Sequence, residues 1–279
     1  MFTPKLIALD LDGTLFTRTG EITPYTREQI RAAADKDIAV VLSTGRPYAG
    51  LPLAEAVELG IEYAITANGA AIYHIPDKAC LREEGISPEL AADILLHLPT
   101  KHLHLDAFIH GEAYTQSSSL HIVRHSNTLP ESVKNYILTT RRQVEDLAAY
   151  VAEQHLTLQK ATINFEQETD GTFIGREEVK AYLEGRPEIQ LASGGYFNLE
   201  FTRTGITKAD GLKFLCDFLQ IPLEHSMACG DSGNDLDILK AAGLSVAMAN
   251  AEEEVKAVCD YITASCNEDG VGKAIAKFI

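Results

Sequence analysis

The sequence predicts an α/β protein: a parallel-sheet core with a second α/β segment inserted into it. Short apolar runs alternate with helical periods over residues 1–84, and each run ends in a loop rich in Asp, Ser, Thr, Asn and Gly. The same rhythm resumes over 193–279. Between them, residues 85–192 mix helical periods with alternating, half-exposed strand patterns, enough chain for a domain of their own.

The elements follow in order. "KLIALDLDGTLF" opens with the apolar strand 6–9 and ends in Asp10, Asp12, Gly13 and Thr14. Two carboxylates at the mouth of a buried strand are costly unless each finds a partner or a ligand. Thr23-Pro24 reads as an N-cap followed by proline in the first turn, starting a helix over 25–36 with Ile30, Ala33 and Ala34 on one face. "DIAVVLSTGR" is the second strand, 47–59 a helix stopped by Gly60, and "EYAITANGA" a third strand ending in Asn68 and Gly69. Strands joined by crossover helices lie parallel, and such sheets bind ligands at their carboxyl edge. The insertion predicts helices at 88–97, 144–155 and 177–183 and strands in "HLHLDAFI" and "LQKATINFEQ". After "YFNLEF" the core resumes with a helix at 208–219, a strand at 226–229, a helix at 235–242 and a strand at 245–248.

Composition narrows the function. Hydrophobic residues at 46% and charged ones at 23% fit a soluble globular chain. Forty acidic against 24 basic residues, a formal charge of −16, argue against nucleic acid and against an anionic membrane surface. An acidic protein that handles phosphates needs a metal ion to offset repulsion. Five scattered cysteines without a C-x-x-C pair point to a reducing cytoplasm. Neither a signal peptide nor a transmembrane helix is expected.

Four segments carry candidate chemistry: "DLDGT" at 10–14, "STGR" at 43–46, Lys208 in "GITKADG", and "GDSGNDLDIL" at 230–239. Singly, each has a plain explanation as a polar turn, a strand-to-helix turn, a solvated lysine or a helix start. All four, in this order and at strand ends, are harder to explain that way. Together with "NGA" at 68–70 and the size and place of the insertion, they resemble the haloacid dehalogenase-like superfamily of phosphatases, and within it the Cof-type hydrolases. The resemblance spans essentially the whole chain. One departure is Ala209, where that family often has glycine after the motif lysine.

The resemblance implies a Rossmann-like core of 1–84 plus 193–279, a cap of 85–192 that sets specificity, and a Mg²⁺-dependent phosphatase of small phosphorylated metabolites. Sugar phosphates, flavin mononucleotide and pyridoxal phosphate are the candidate substrates. Phosphoryl transfer needs an in-line nucleophile, neutralised phosphoryl oxygens and a proton for the leaving group. Asp10 is the expected nucleophile, forming an aspartyl-phosphate, and Asp12 the general acid and then base. Thr44 offers a hydroxyl to the phosphoryl group and Lys208 a fixed positive charge. The metal set is Asp10, the Asp12 backbone carbonyl and Asp231, an oxygen-only set that suits Mg²⁺. Asp235 supports it, and Asn234 holds metal-bound water or orients Lys208. Gly45, Arg46, Asn68, Gly69 and Asn234 are expected on the substrate side.

Two other classes fit the motifs less well: a phosphotransferase such as a phosphohexose mutase, and a phosphate-binding sensor without catalysis. The sensor would be marked by a lost nucleophile, lysine or metal aspartate, and all three are present. His102 with His104, and His121 with His125, have spacings that can ligate zinc, but no carboxylate or cysteine completes a set. "GVGK" at 270–273 lacks the full phosphate-loop pattern and reads as a helix start. Gly85, Gly194 and Gly195, at crossings near 83–86 and 192–195, are candidate hinges. The substrate's identity and the oligomeric state are not legible.

Overall fold

The computed structural model describes residues 2–192 and 197–279, so the hinge expected at Gly194 and Gly195 lies outside the described residues. Strands β1 (Leu6–Leu9), β2 (Ala39–Ser43) and β3 (Tyr63–Thr66) form where apolar runs predict them. β4 (Ala71–His74), antiparallel to β3, and β5 (Ala79–Glu83) extend the sheet beyond the predicted strands. A second sheet uses β6 (Leu103–Ile109), β7 (Glu112–Gln116), β8 (Arg142–Val144), β9 (Lys160–Phe165), β10 (Ile189–Ala192) and β11 (Leu199–Arg203). β12 (Ser226–Gly230), β13 (Leu244–Ala247) and β14 (Tyr261–Ile262) return to the first.

The first sheet runs β14-β13-β12-β1-β2-β3-β4-β5, with parallel pairing from β14 to β3. β1 is central and wholly buried, which explains its unbroken apolar run. Its register sets Leu9 against both Cys229 and Leu42. The next residues, Asp10, Gly230 and Ser43, therefore leave the sheet side by side at its carboxyl edge. Helix Pro24–Ala34 starts at Thr23, whose hydroxyl accepts the Thr26 N–H at 3.2 Å. The predicted helix over 47–59 is broken into a 3₁₀ turn, Tyr48–Gly50, and a short helix, Leu53–Glu58. Pro52 donates no backbone hydrogen bond and biases Leu51 away from helix, which accounts for the break.

By contacts the chain divides into one unit of Met1–Arg46, Leu51–Arg82 and Ile206–Ile279, and a second of Pro47–Gly50 and Glu83–Gly205. The second unit thus extends past the 85–192 predicted. The reason is β11: it pairs antiparallel with β9 and β10, Leu199 opposite Ile163 and Arg203 opposite Ile189. "NLEF" is therefore a strand of the second sheet, ordered β10-β11-β9-β6-β7-β8. Helices Pro88–His97, Leu147–Glu153 and Arg176–Glu184 pack Ile94, Val151 and Leu183 on its apolar face, formed by Leu103, Leu105, Ile163, Phe165 and Phe201. No helix among the described residues is long and apolar enough to cross a membrane.

The alternate residues of β6, β9 and β11 are polar, yet His104, Asp106, Lys160, Thr162, Asn164 and Glu200 are all buried. They are paired with one another or with neighbouring side chains. Arg141 Nε donates to Asp106 Oδ2 at 2.8 Å, and Lys160 Nζ lies 2.6 Å from Glu200 Oε2. The His104 ring bonds Thr115 Oγ1 at 3.0 Å and Asn164 Nδ2 at 3.2 Å, while His102 is exposed and bonded to Glu166. His102 lies just before β6 in a left-handed conformation, φ +63°, which takes its side chain off the strand face that His104 occupies, and neither joins a candidate metal cluster among the described residues.

Burial lowers the His104 pKa, with the Arg141 charge acting the same way and Asp106 opposing. Below an unfolded-state pKa of about 6.5, the unfolded chain takes up a proton that the folded site refuses. Stability should therefore be full above pH 6.5 and fall with acidification, by up to about 1.4 kcal/mol per pH unit from this residue. Urea midpoints at several pH values should show a flatter acid limb in His104→Gln than in the wild type; parallel limbs would refute the assignment.

Candidate active site

At the carboxyl edge of the first sheet, Asp10 follows β1 and is buried. Lys208 begins the helix Lys208–Phe218. A reciprocal cap fixes that helix start: Asp210 Oδ2 accepts both the N–H and the hydroxyl of Thr207, at 3.0 and 2.8 Å. The Lys208 side chain is fully buried and its Nζ donates to Asp10 Oδ1 at 2.8 Å and Asp235 Oδ1 at 2.7 Å. Burial alone would lower the lysine's pKa, but Asp10 and Asp235 outweigh it and hold the ammonium charged well above its ordinary range.

Carboxylate oxygens of Asp10, Asp231 and Asp235 lie within 4.8 Å of one another. Three carboxylates against one ammonium leave an excess of two negative charges in a buried pocket. Burial first, then the charge of Asp235, push the Asp10 carboxyl well above its usual range, with Lys208 pulling it back. The same two causes push Asp231 up to about 7. A divalent cation would keep both ionised, and the donor set, all hard oxygen, suits one. Asp235 is already committed: besides Lys208, its Oδ2 accepts the N–H groups of Asp231 at 3.1 Å and Ser232 at 3.3 Å. It shapes the loop, leaving Asp10 and Asp231 to face an ion.

Two further groups hold Asp231. Thr14 Oγ1 donates to Asp231 Oδ1 at 3.2 Å. Gly13, at φ +85°, passes so close that a Cβ there would lie 2.3 Å from Asp231 Oδ2. The glycine of "DLDGT" is thus required on both conformational and steric grounds. Asn250 Nδ2 donates to the Gly13 carbonyl at 2.8 Å, and its Oδ1 accepts the Cys266 N–H at 2.8 Å. The sequence assigns a role to neither Thr14 nor Asn250. The threonine of "DGT" was a usable signal, whereas nothing marks Asn250.

The Asp12 carboxylate is exposed and held by a forked pair, Arg46 Nε to Oδ2 at 2.8 Å and Nη2 to Oδ1 at 2.6 Å. Arg46 lies over the Phe16 ring, 5.3 Å from its centroid. The arginine expected on the substrate side is here bound to the expected acid/base. Thr44 is buried at the end of β2, its N–H bonded to the Ile65 carbonyl and its hydroxyl accepting the Arg46 N–H at 3.1 Å. Gly45 lies between these two residues in sequence. Asn68 accepts from Asn234 Nδ2 at 3.4 Å, and Gly69 packs on the backbone of Thr207 and Lys208. Gly69 is thus filled by protein on the side where a Cβ would point.

The fold and site define an α/β protein whose parallel sheet carries a buried lysine–carboxylate centre at its carboxyl edge. The chain belongs to the haloacid dehalogenase-like hydrolases, whose family model matches residues 7–275. It is similar to phosphatase YwpJ of Bacillus subtilis, 32% identical over 96% of this chain and 97% of the relative. It is equally similar to 5-amino-6-(5-phospho-D-ribitylamino)uracil phosphatase YcsE of the same organism, 32% identical over 99% of this chain and 96% of the relative. A solved haloacid dehalogenase-like hydrolase from B. subtilis superimposes with a TM-score of 0.82 at 28% identity, covering 99% of this chain and all of the other.

Proposed function

We propose that this chain is a Mg²⁺-dependent phosphatase of small phosphorylated metabolites, working through an aspartyl-phosphate on Asp10. The observation that supports it most is the buried Lys208 ammonium bridging Asp10 and Asp235, with Asp231 alongside. Asp10 Oδ1 is held by Lys208, which orients the carboxylate and leaves its second oxygen to attack phosphorus as the ester oxygen leaves. Lys208 and the Thr44 hydroxyl receive the charge that builds on the phosphoryl oxygens. Asp12 gives a proton to the leaving oxygen and later takes one from the water that attacks the acyl phosphate, which frees phosphate and regenerates Asp10. To do so its carboxylate must part from Arg46. Asp10 and Asp231, with the Asp12 backbone carbonyl, would hold Mg²⁺, which when bound supplies positive charge to the phosphoryl oxygens. YcsE is named for a phosphorylated ribityl compound, which favours a phosphorylated metabolite here. The second unit carries none of these residues and is assigned the choice among esters.

The test is phosphate release from a panel of phosphorylated metabolites, including sugar phosphates, flavin mononucleotide and pyridoxal phosphate. Chelation should abolish release and Mg²⁺ restore it, while Ca²⁺, larger and tolerant of higher coordination, should inhibit. Full activity in excess chelator would sink the proposal. Phosphate release without an added acceptor separates hydrolysis from transfer to a second sugar.

A further inference from the structure

We propose that Asn68 is a positioning residue that ties the Thr44 loop to the loop carrying Asp231 and Asp235, presented by a left-handed turn at Ala67–Gly69. Its kinetic readout rests on the phosphatase reading above; its metal-binding readout does not. Immediately after β3, three consecutive residues have positive φ: Ala67 at +49°, Asn68 at +58° and Gly69 at +102°. Glycine adopts this region freely and asparagine tolerates it, but an alanine there sets its Cβ against the following carbonyl. Such strain persists only where the surroundings over-determine it.

Here they do. The Ala67 N–H donates to the Arg46 carbonyl at 2.9 Å and the Asn68 N–H to the Thr44 carbonyl at 3.1 Å. On the other side there is no room for a Cβ on Gly69, which would lie 2.0 Å from the Thr207 carbonyl oxygen and 3.0 Å from the Lys208 nitrogen. One turn therefore seats against both the "STGR" loop and the start of the Lys208 helix. The buried Asn68 side chain reaches the third loop. Its Oδ1 accepts from Asn234 Nδ2 at 3.4 Å, and Asn234 Oδ1 accepts from Ser232 Oγ at 2.9 Å. The Ser232 N–H in turn donates to Asp235 Oδ2, whose other oxygen holds Lys208. The links run from Thr44 through Asn68, Asn234, Ser232 and Asp235 to Lys208, and close back through Thr207 and Gly69. The Asn68 side chain joins the β3 turn to the Asp231 loop. Removing its amide should loosen Asp231, and with it the cation site.

Asn68→Gly deletes the amide while glycine keeps the left-handed turn. Measured on the whole chain by calorimetric titration with Mg²⁺, its Kd should rise about fivefold, the size of one net hydrogen bond. With p-nitrophenyl phosphate as probe, kcat should fall about tenfold with KM within about twofold, the mark of lost positioning. The melting temperature should stay within about 3 °C. Asn68→Asp retains an acceptor oxygen and tolerance of the turn, and should restore most of the affinity. Asn234→Ala cuts the same link from the other side, so the Mg²⁺ Kd should rise there too, and unchanged affinity in it would refute the link even if the glycine variant does not fold. Wild-type Mg²⁺ affinity in either Asn68→Gly or Asn234→Ala would overturn the inference and leave Asn68 as a turn former. If the wild type binds Mg²⁺ yet releases no phosphate from any ester, the phosphatase reading fails while the affinity comparison still decides this one.

Discussion

Asp10→Asn is expected to reduce turnover by at least about 10⁴-fold while leaving the protein folded. The amide has the carboxylate's shape and keeps an acceptor oxygen for Lys208 Nζ, now 2.8 Å from Asp10 Oδ1. It lacks the anionic oxygen that the proposed mechanism uses to attack phosphorus. Stability should be unchanged or slightly raised, because burial and the neighbouring Asp235 already disfavour the charge on Asp10. Phosphate release from the best substrate of the panel, followed beside a thermal melt, checks both halves. Residual activity above about one per cent of wild type would exclude Asp10 as the nucleophile.

Lys208→Met should cost both activity and stability. The side chain is fully buried between two carboxylates, and methionine fills much the same space without the charge. Asp10 and Asp235 are left buried and uncompensated, a loss of about 3–5 kcal/mol. At about 2–4 °C per kcal/mol, the melting point should fall by roughly 10 °C. Activity should fall by about 10³-fold or more, since the charge proposed to meet the phosphoryl oxygens is gone. The double variant Asp10→Asn/Lys208→Met should melt above Lys208→Met alone, because one of the two stranded charges has been removed. A double variant no more stable than the sum of its parts would mean that the ion pair does not couple the two residues.

The candidate centre was legible where its members sit in short strings at strand ends. Asp10, Lys208 and Asp231 each follow or begin a recognisable element, and parallel strands deliver their C-terminal loops to one edge whatever the details of packing. Local punctuation was also readable in part. Thr23 and Pro24 do start a helix, and Ser87 accepts the Leu90 N–H at the start of the helix read from 88. Pro52 carried the signal for a broken helix between 47 and 59.

What the pattern did not disclose depends on partners far off in the chain. The Asp12 carboxylate is claimed by Arg46, 34 residues on, and the Gly13 carbonyl by Asn250, 237 residues on. Nothing in "DLDGT" indicates either. "NLEF" reads as a strand in both settings, and only its antiparallel register with β9 and β10 assigns it to the second sheet. The polar alternation of β6 and β9 suggested a solvated face, yet those residues are buried: Asp106 and Lys160 pair with Arg141 and Glu200, and His104 and Asn164 hydrogen-bond each other.

By itself, then, the sequence determined the class of fold, the four chemical segments and their order, because hydrophobic period, caps and turn chemistry act over a few residues. Only the tertiary structure decided which carboxylate is spoken for and which are left as candidate cation ligands. Asp235 and Asp231 are four residues apart in one loop, but the first is consumed by Lys208 and two backbone N–H groups while the second is left facing Asp10. A carboxylate's role is set by the donors and charges within hydrogen-bond reach, and those are brought there by strand register and close packing across the sheet edge rather than by its neighbours in sequence.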